Sequence, residues 1–311
     1  MQSKDKEIKI ENFKKVSSLS SEKIYSALKK VLERNAISVA PELIKLLKDK
    51  LEIEEKSGNN IATEQLKLII KNFNYAMEHK LPACQDTGMI NILVKFNPNF
   101  SFPRDFKDTI IRAIRDATEE IPLRPNCVDP ILGTNSGDNT GHLSPPIYYE
   151  LDDNVELLEI NVLNKGGGAE NMSQLLMLNA SVSIKRVKEE VVRIIKEAGG
   201  KPCPPVILGI GLGGDATYSM FLAKKALMRP LFSRSEKKEV RKLEDELLEE
   251  LNRLNVGVMG LGGRTTCLDV RIEWAMRHPA SFPVGVIVQC YSHRGSKVVF
   301  KRDGNILYEY L

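Results

Sequence analysis

Helical and strand-like patterns alternate along this chain, and that alternation favours a fold in which helices cover a sheet. From about residue 20 to 80 the apolar side chains recur at helical spacing, as in ATEQLKLIIKNFNYAMEHK. The strand-like run INILVKF follows, and then the helical segment FKDTIIRAIRDATEE. Further strands are predicted by NVELLEINVL, VILGIGL, GVIVQCY and SKVVF, and a helix by residues 171–198.

The fold class predicted from these segments is mixed α/β (α+β). We expect a mainly helical N-terminal region over residues 1–80, followed by a mixed sheet covered by helices over residues 81–311, the two forming one compact unit. Residues 233–254 predict a charged surface helix whose apolar stripe packs on the body of the protein. That stripe is too short to favour a coiled-coil partner.

Composition excludes several classes of protein. Hydrophobic residues make up 42% and charged residues 28% of the chain, as in folded globular proteins. The formal charge of +4 over 311 residues is too small to indicate a nucleic-acid partner, and 6% aromatic residues argues against a base-stacking surface. Residues 1–15 lack the apolar core of a signal peptide, and no apolar run reaches the ~20 residues of a membrane helix. We therefore expect a cytoplasmic protein that binds neither nucleic acid nor membrane.

Three of the five cysteines stand at the edges of predicted elements. Cys84 precedes the segment QDTG, Cys203 lies in KPCPP before a strand, and Cys290 closes the apolar run VGVIVQC. Loops at element ends bring distant side chains together, and three thiolates gathered in this way are able to hold an iron–sulfur cluster with one iron left free. Each cysteine taken singly is equally consistent with a small buried hydrophobic residue.

Two glycine-rich segments are further candidates for ligand binding. The segment KGGGAEN, residues 165–171, stands between a predicted strand and a predicted helix, where backbone N–H groups bind a carboxylate or a phosphate or simply form a tight turn. Residues 209–214 satisfy the GxGxxG pattern after a strand, with Glu236 at the distance of a ribose-binding acid, which leaves a dinucleotide-binding interpretation open.

The polar loop over residues 124–146 adds a possible carboxylate-binding residue. It is dense in Gly, Pro, Asn, Asp and Ser, and Arg124 at its start is suited to bidentate carboxylate binding. Asp86, two residues after Cys84, is a candidate for proton transfer, although either residue taken alone is also typical of a surface or turn position.

The segments ACQDTG, LRPN, KGGGAENMS, PCPPVILGIGLGGDAT and RHPASFPVGVIVQCYSHR together resemble the iron–sulfur dependent (class I) fumarate hydratases, in particular the alpha subunit of their two-subunit form. The resemblance covers nearly the whole chain. It implies a 4Fe-4S cluster held by Cys84, Cys203 and Cys290, with Cys127 and Cys267 structural. It places the substrate contacts at Gln85, Asp86, Arg124 and Gly167, and it implies that Asp86 handles the proton on the substrate hydroxyl. It also implies that the GxGxxG match is a turn after the second cluster ligand.

The activity implied by this resemblance is the reversible hydration of fumarate to (S)-malate. No base for the C3 proton is identifiable in the chain, so a separate beta subunit is expected to supply it in an α2β2 assembly. The alpha subunit of L-tartrate dehydratase is the alternative within the family. The alternative from another class is a nucleotide-binding module without a cluster.

Overall fold

The computed structural model describes residues 19–311, so the interpretation of residues 1–15 lies outside the described residues. Three long helices come first, as the sequence predicts, and the last of them begins at an Asn59 side chain that accepts a hydrogen bond from the N–H of Ala62. The helices are α1 (Ser21–Ile37), α2 (Pro41–Ser57), α3 (Asn60–His79), α4 (Phe106–Glu120), α5 (Gly167–Glu170), α6 (Ile184–Ala198), α7 (Ala216–Leu227) and α8 (Lys238–Asn252). Within residues 19–311, each helix is too short or too polar to cross a bilayer.

The strands form two mixed sheets, which confirms the predicted fold class while dividing the expected sheet in two. Their bounds are β1 (Met89–Phe96), β2 (Ile147–Leu151), β3 (Leu158–Lys165), β4 (Gln174–Leu178), β5 (Val206–Gly214), β6 (Cys267–Arg277), β7 (Phe282–Gln289), β8 (Arg294–Phe300) and β9 (Ile306–Tyr310). The first sheet has the order β2-β1-β3-β8-β9 and the second the order β4-β7-β5-β6. Only β1–β2 and β5–β6 are parallel pairs among the named strands.

The hydrophobic core holds the two sheets together. Helices α1 and α4 pack on the first sheet, and α6 and α8 pack on one face of the second. A third cluster contains Leu93 and Leu163 of the first sheet and Ile207 and Ile287 of the second, together with side chains of α2, α3 and α7. Because β3 and β7 share this cluster, their ends lie close together, and the Gln289 side chain there donates a hydrogen bond to the Asn164 carbonyl.

Two differences from the sequence-based prediction lie after α5. The helix predicted over residues 171–198 is instead strand β4 followed by α6, which begins at Ile184. The five-residue run QLLML of β4 is too short for its periodicity to distinguish strand from helix. The long loop is as predicted, since no helix or strand lies between Glu120 and Ile147.

The GxGxxG match at residues 209–214 lies inside β5, so the prediction that it forms a turn is wrong. A Cβ atom added at Gly211 would lie 1.9 Å from the Ser219 carbonyl oxygen, and one at Gly209 would lie 2.1 Å from the Ala223 carbonyl oxygen. Both carbonyls belong to α7, which therefore packs directly on the strand backbone. These glycines permit close helix packing and do not form the loop that a pyrophosphate requires.

Replacing Gly211 by alanine is therefore expected to destabilise the protein by about 3 kcal/mol or more, the upper range for overpacking a core. The matched control is Gly304→Ala, where φ is +88° and no atom lies within 4 Å of the added Cβ. That control carries only backbone strain, about 1–2 kcal/mol. The measurement is the urea midpoint of the two variants without cluster. Equal losses of stability would contradict close packing against α7.

Candidate active site

The three cysteines at predicted element edges are brought together by the fold. Cys84 lies between α3 and β1, Cys203 between α6 and β5, and Cys290 directly after β7, and all three are partly exposed residues. Burial raises the pKa of the Cys203 thiol, and the neighbouring Cys290 and Cys84 thiols raise it further. The pKa of Tyr291 is raised to about 12 by burial and then by the same three cysteines. The three cysteine sulfurs therefore lie near one another and are the main potential metal ligands of this site.

Backbone contacts join the segments that carry these cysteines. The N–H of Tyr291 donates a 3.3 Å hydrogen bond to the Cys203 carbonyl, which ties the second cysteine to the third. A Cβ at Gly168 would lie 3.4 Å from the Lys201 carbonyl, so the glycine loop rests against the Cys203 segment. The site thus lies where the ends of β3, β7 and the loop before β5 meet.

The donor set suits a cluster better than a single ion. Among residues 19–311, no three His, Cys, Asp or Glu side chains converge tightly enough to bind one metal ion. In a 4Fe-4S cluster each thiolate binds its own iron, so the three ligands need not converge on one point. Three neighbouring, partly exposed cysteines at loop ends fit that requirement.

Asp86 connects three segments of the site through its carboxylate. Its Oδ1 accepts hydrogen bonds from the Gly88 N–H at 2.9 Å and from the Asn126 side chain at 3.3 Å. Its Oδ2 accepts from the Gly167 N–H at 2.8 Å. The carboxylate is therefore oriented by backbone and amide donors, beside the cysteines and at the start of the glycine loop.

The glycine loop begins at Gly166 and continues into the single turn of α5. Its approach to the Asp86 segment depends on Gly88, where φ is +84° and an added Cβ would lie 2.8 Å from the backbone of Asn164 and Lys165. The N–H of Gly167, predicted to bind a substrate carboxylate, donates to a carboxylate of the chain itself. The loop thus has the donor geometry of a carboxylate site.

Gln85 and Arg124 lie next to this centre with exposed side chains. The N–H of Arg124 donates a 2.9 Å hydrogen bond to the hydroxyl of Thr87, which is buried directly after Asp86. The structure therefore fixes the backbone of Arg124 beside the Asp86 segment, while the residue as a whole is exposed.

An ion network around the buried Lys165 anchors the glycine loop, and the sequence analysis did not predict it. The Lys165 Nζ lies 3.1 Å from one Glu170 oxygen, and the Lys224 Nζ lies 3.2 Å from the other. Burial lowers the pKa of Lys165 in spite of Glu170, whereas burial of Glu170 is outweighed by Lys224 and Lys165, so that its pKa is lowered. Lys165 and Glu170 flank the glycines in KGGGAE, and this opposite-charge pair, five positions apart, is the sequence feature from which the contact could have been predicted.

Two further contacts to Asp86 come from residues that the sequence did not single out. Arg294 donates from Nη1 to the Asp86 carbonyl at 2.6 Å, and Asn126 donates to its carboxylate. Both residues stand inside segments that carry the family resemblance, Arg294 in YSHR and Asn126 in LRPN.

The other two cysteines have separate surroundings. Cys267 is fully buried at the start of β6, where its thiol donates to the Asp269 carbonyl at 3.3 Å. Cys127 lies in the long loop, and its sulfur is 3.1 Å from the position of a Cβ on Gly141. Their structural role stays a prediction.

Comparisons with known proteins identify the family. A family model described as "Fumarate hydratase (Fumerase)" matches residues 25–299. The chain is 42% identical over 278 residues to the putative L(+)-tartrate dehydratase subunit alpha of Methanocaldococcus jannaschii, covering 88% of this chain and 97% of that protein. It is 33% identical over 232 residues to the L(+)-tartrate dehydratase subunit alpha of Escherichia coli, covering 75% of this chain and 77% of that protein.

A single-chain relative is longer. The chain is 31% identical over 282 residues to the putative fumarate hydratase class I of Geobacillus stearothermophilus, covering 88% of this chain and 54% of that protein. It therefore spans about half the length of that relative. With a family model over most of its length and relatives above 30% identity, the chain belongs to the class I fumarate hydratase and L-tartrate dehydratase alpha-subunit family of hydro-lyases.

Proposed function

We propose that this chain is the cluster-bearing alpha subunit of a hydro-lyase that interconverts fumarate and (S)-malate by reversible addition of water. The observation that carries the proposal is the meeting of three cysteine-bearing loop ends beside a carboxylate and a glycine loop. The family model, which is described as a fumarate hydratase, supports the choice of substrate.

Cys84, Cys203 and Cys290 would ligate a 4Fe-4S cluster. When bound, such a cluster supplies a Lewis-acid iron without a protein ligand, which activates the substrate hydroxyl as a leaving group. The protein's contribution is to hold the dicarboxylate and to manage its protons.

The contacts of Asp86 suggest how substrate binding and proton handling are connected. The Gly167 N–H donates to Asp86 Oδ2. A substrate carboxylate that takes this N–H releases Oδ2, which is then free to accept a proton from the water that adds to fumarate and, in the reverse direction, to return that proton to the departing hydroxyl of malate. Gln85 and Arg124, whose side chains are exposed beside Asp86, would bind the carboxylates, Arg124 in the bidentate manner of a guanidinium.

The same exposure supports a second subunit that covers the site. Two relatives are named as alpha subunits, and the single-chain relative is about twice as long as the matched region. We infer that a beta subunit closes over Gln85 and Arg124 in an α2β2 assembly and supplies the base for the C3 proton.

L-tartrate is the second candidate substrate. It is favoured by the names of the relatives from Methanocaldococcus jannaschii and Escherichia coli, which are tartrate dehydratase alpha subunits. Tartrate carries one more hydroxyl than malate, so a few contacts around the second substrate carbon, some of them on the partner, would decide between them.

The test is to purify the chain with its beta subunit in the absence of oxygen and to measure iron, sulfide and turnover. We expect a brown protein whose kcat/KM for fumarate exceeds that for L-tartrate, with full rates only when both subunits are present. A higher kcat/KM for L-tartrate selects the second candidate. A folded, reconstituted protein without iron overturns the proposal, and a gain of thermal stability with NAD or ATP would then favour the nucleotide-binding module.

A further inference from the structure

Arg294 is a buried cation beside the three cysteines, and nothing in the proposed function yet uses its charge. It begins β8, four positions after Cys290, and only 2% of the residue is exposed. Its strand position is paired with Asn164 of β3, directly before Lys165 and the glycine loop. Arg294 therefore lies where the third cysteine, the glycine loop and the Asp86 segment meet.

The guanidinium reaches both neighbouring segments. Its Nη1 donates to the Asp86 carbonyl at 2.6 Å, and its Nη2 lies 3.8 Å from the position of a Cβ on Gly166. One planar side chain thus spans from the Cys290 strand to the Asp86 segment and to the start of the glycine loop. A planar fork of fixed N–H donors is suited to holding two such segments at a set separation.

The charge of Arg294 has no acidic partner within 4 Å among residues 19–311, whereas other buried cations of the chain have one. Lys165 pairs with Glu170, and Arg271 pairs with Asp269. The Nε of Arg294 is also buried without a hydrogen-bond acceptor in the described part of the chain. Because an unpaired buried charge is costly, this arrangement calls for an anion at the site.

One source of negative charge beside Arg294 is the cysteine group, because Cys290 precedes Arg294 by four positions, directly after β7. The Nη1 of Arg294 donates to the carbonyl of Asp86, which lies two positions after Cys84, so Arg294 approaches the cysteine group from both the Cys84 and the Cys290 segments. Thiolates that bind iron give the whole centre a negative charge, and a dicarboxylate substrate adds more. Arg294 is placed to offset both, because it is fixed in the wall of the site rather than at its exposed mouth.

We propose that Arg294 is a positioning residue with two roles: it fixes the Asp86 segment against the glycine loop, and it is the buried counter-ion of the thiolate-ligated iron–sulfur centre. This inference rests on the proposed function, since it needs a cluster at Cys84, Cys203 and Cys290. It predicts that the charge at position 294 affects the reduction potential of the cluster, whereas the shape of the side chain affects kcat.

The experiment compares Arg294→Gln with Arg294→Lys in the two-subunit enzyme, using iron content, an EPR-monitored redox titration of the cluster, and kcat with fumarate. Net charge near a cluster sets its reduction potential, so Arg294→Gln should shift the potential to more negative values and Arg294→Lys should leave it near that of the unmodified enzyme. Both variants should lose kcat about tenfold, as expected when a charged hydrogen bond that positions Asp86 is lost.

The matched control is Arg302→Gln, an exposed arginine in the turn after β8 whose Nε donates to the Glu156 carbonyl. It should change neither potential nor kcat. An unchanged potential in Arg294→Gln overturns the counter-ion role, and loss of the cluster in both Arg294 variants overturns the proposal in favour of a role in folding. An unmodified enzyme without iron overturns the proposed function itself, so the two failures are distinguishable.

Discussion

Serine at position 84, 203 or 290 is expected to remove the iron–sulfur cluster and all hydro-lyase activity. The ligand to iron is a thiolate, and a serine hydroxyl does not ionise to replace it at neutral pH. Each of the three cysteines would bind a different iron, so the loss of any one should suffice. The measurement is the 3Fe-4S EPR signal of gently oxidised protein purified without oxygen, together with iron, sulfide and turnover.

Cys127→Ser is the matched control, because Cys127 is partly exposed like the three predicted ligands and lies in the polar loop over residues 124–146. Its cluster and activity should match the unmodified protein. Cys267 is a poorer control, since it is fully buried and a serine there places an extra polar group in the core. A variant at any of the three predicted ligand positions that keeps normal iron content would show that the cluster is held elsewhere.

The parts of the fold that the sequence predicted are those with a single clear periodicity. Helix α4 spans the predicted segment FKDTIIRAIRDATEE, because its apolar residues fall on one face and no other period fits them. The sequence analysis did not predict strand β6, because charged residues in this strand are buried and large apolar residues are exposed, the reverse of the usual pattern. Asp269 and Arg271 are fully buried and paired with each other, whereas Trp274 and Met276 are 41% and 86% exposed. A buried charged pair cannot be anticipated from hydrophobic alternation.

The candidate site was predictable to the extent that its residues stand at element ends. Cys84, Cys203 and Cys290 each end or precede a strand-like run, and the family resemblance selected them from the five cysteines. Arg294 was not predictable in the same way. Its partner Asp86 is 208 residues away, and only the pairing of β8 with β3 places them together.

The exchange of Asp86 for asparagine is expected to lower kcat by about 10²–10⁴-fold, the range for losing a positioned acid–base group. Asparagine keeps one oxygen but replaces the other with an NH₂ group, so either the Gly88 N–H or the Gly167 N–H loses its acceptor. The cluster should still form, because Asp86 is not a proposed ligand. Iron content and kcat with fumarate, measured on the same two-subunit sample, separate these two effects.

Asp303→Asn is the control that separates the loss of proton transfer from the loss of a hydrogen bond within a turn. In the turn after β8, the Asp303 Oδ1 accepts the Asn305 N–H at 2.9 Å, which repeats the bond from Gly88 to Asp86 over the same two-residue spacing. Its amide variant should turn over like the unmodified enzyme. If Asp86→Asn retains kcat while KM alone rises, Asp86 serves binding only, and the proton on the substrate hydroxyl must be managed by another group.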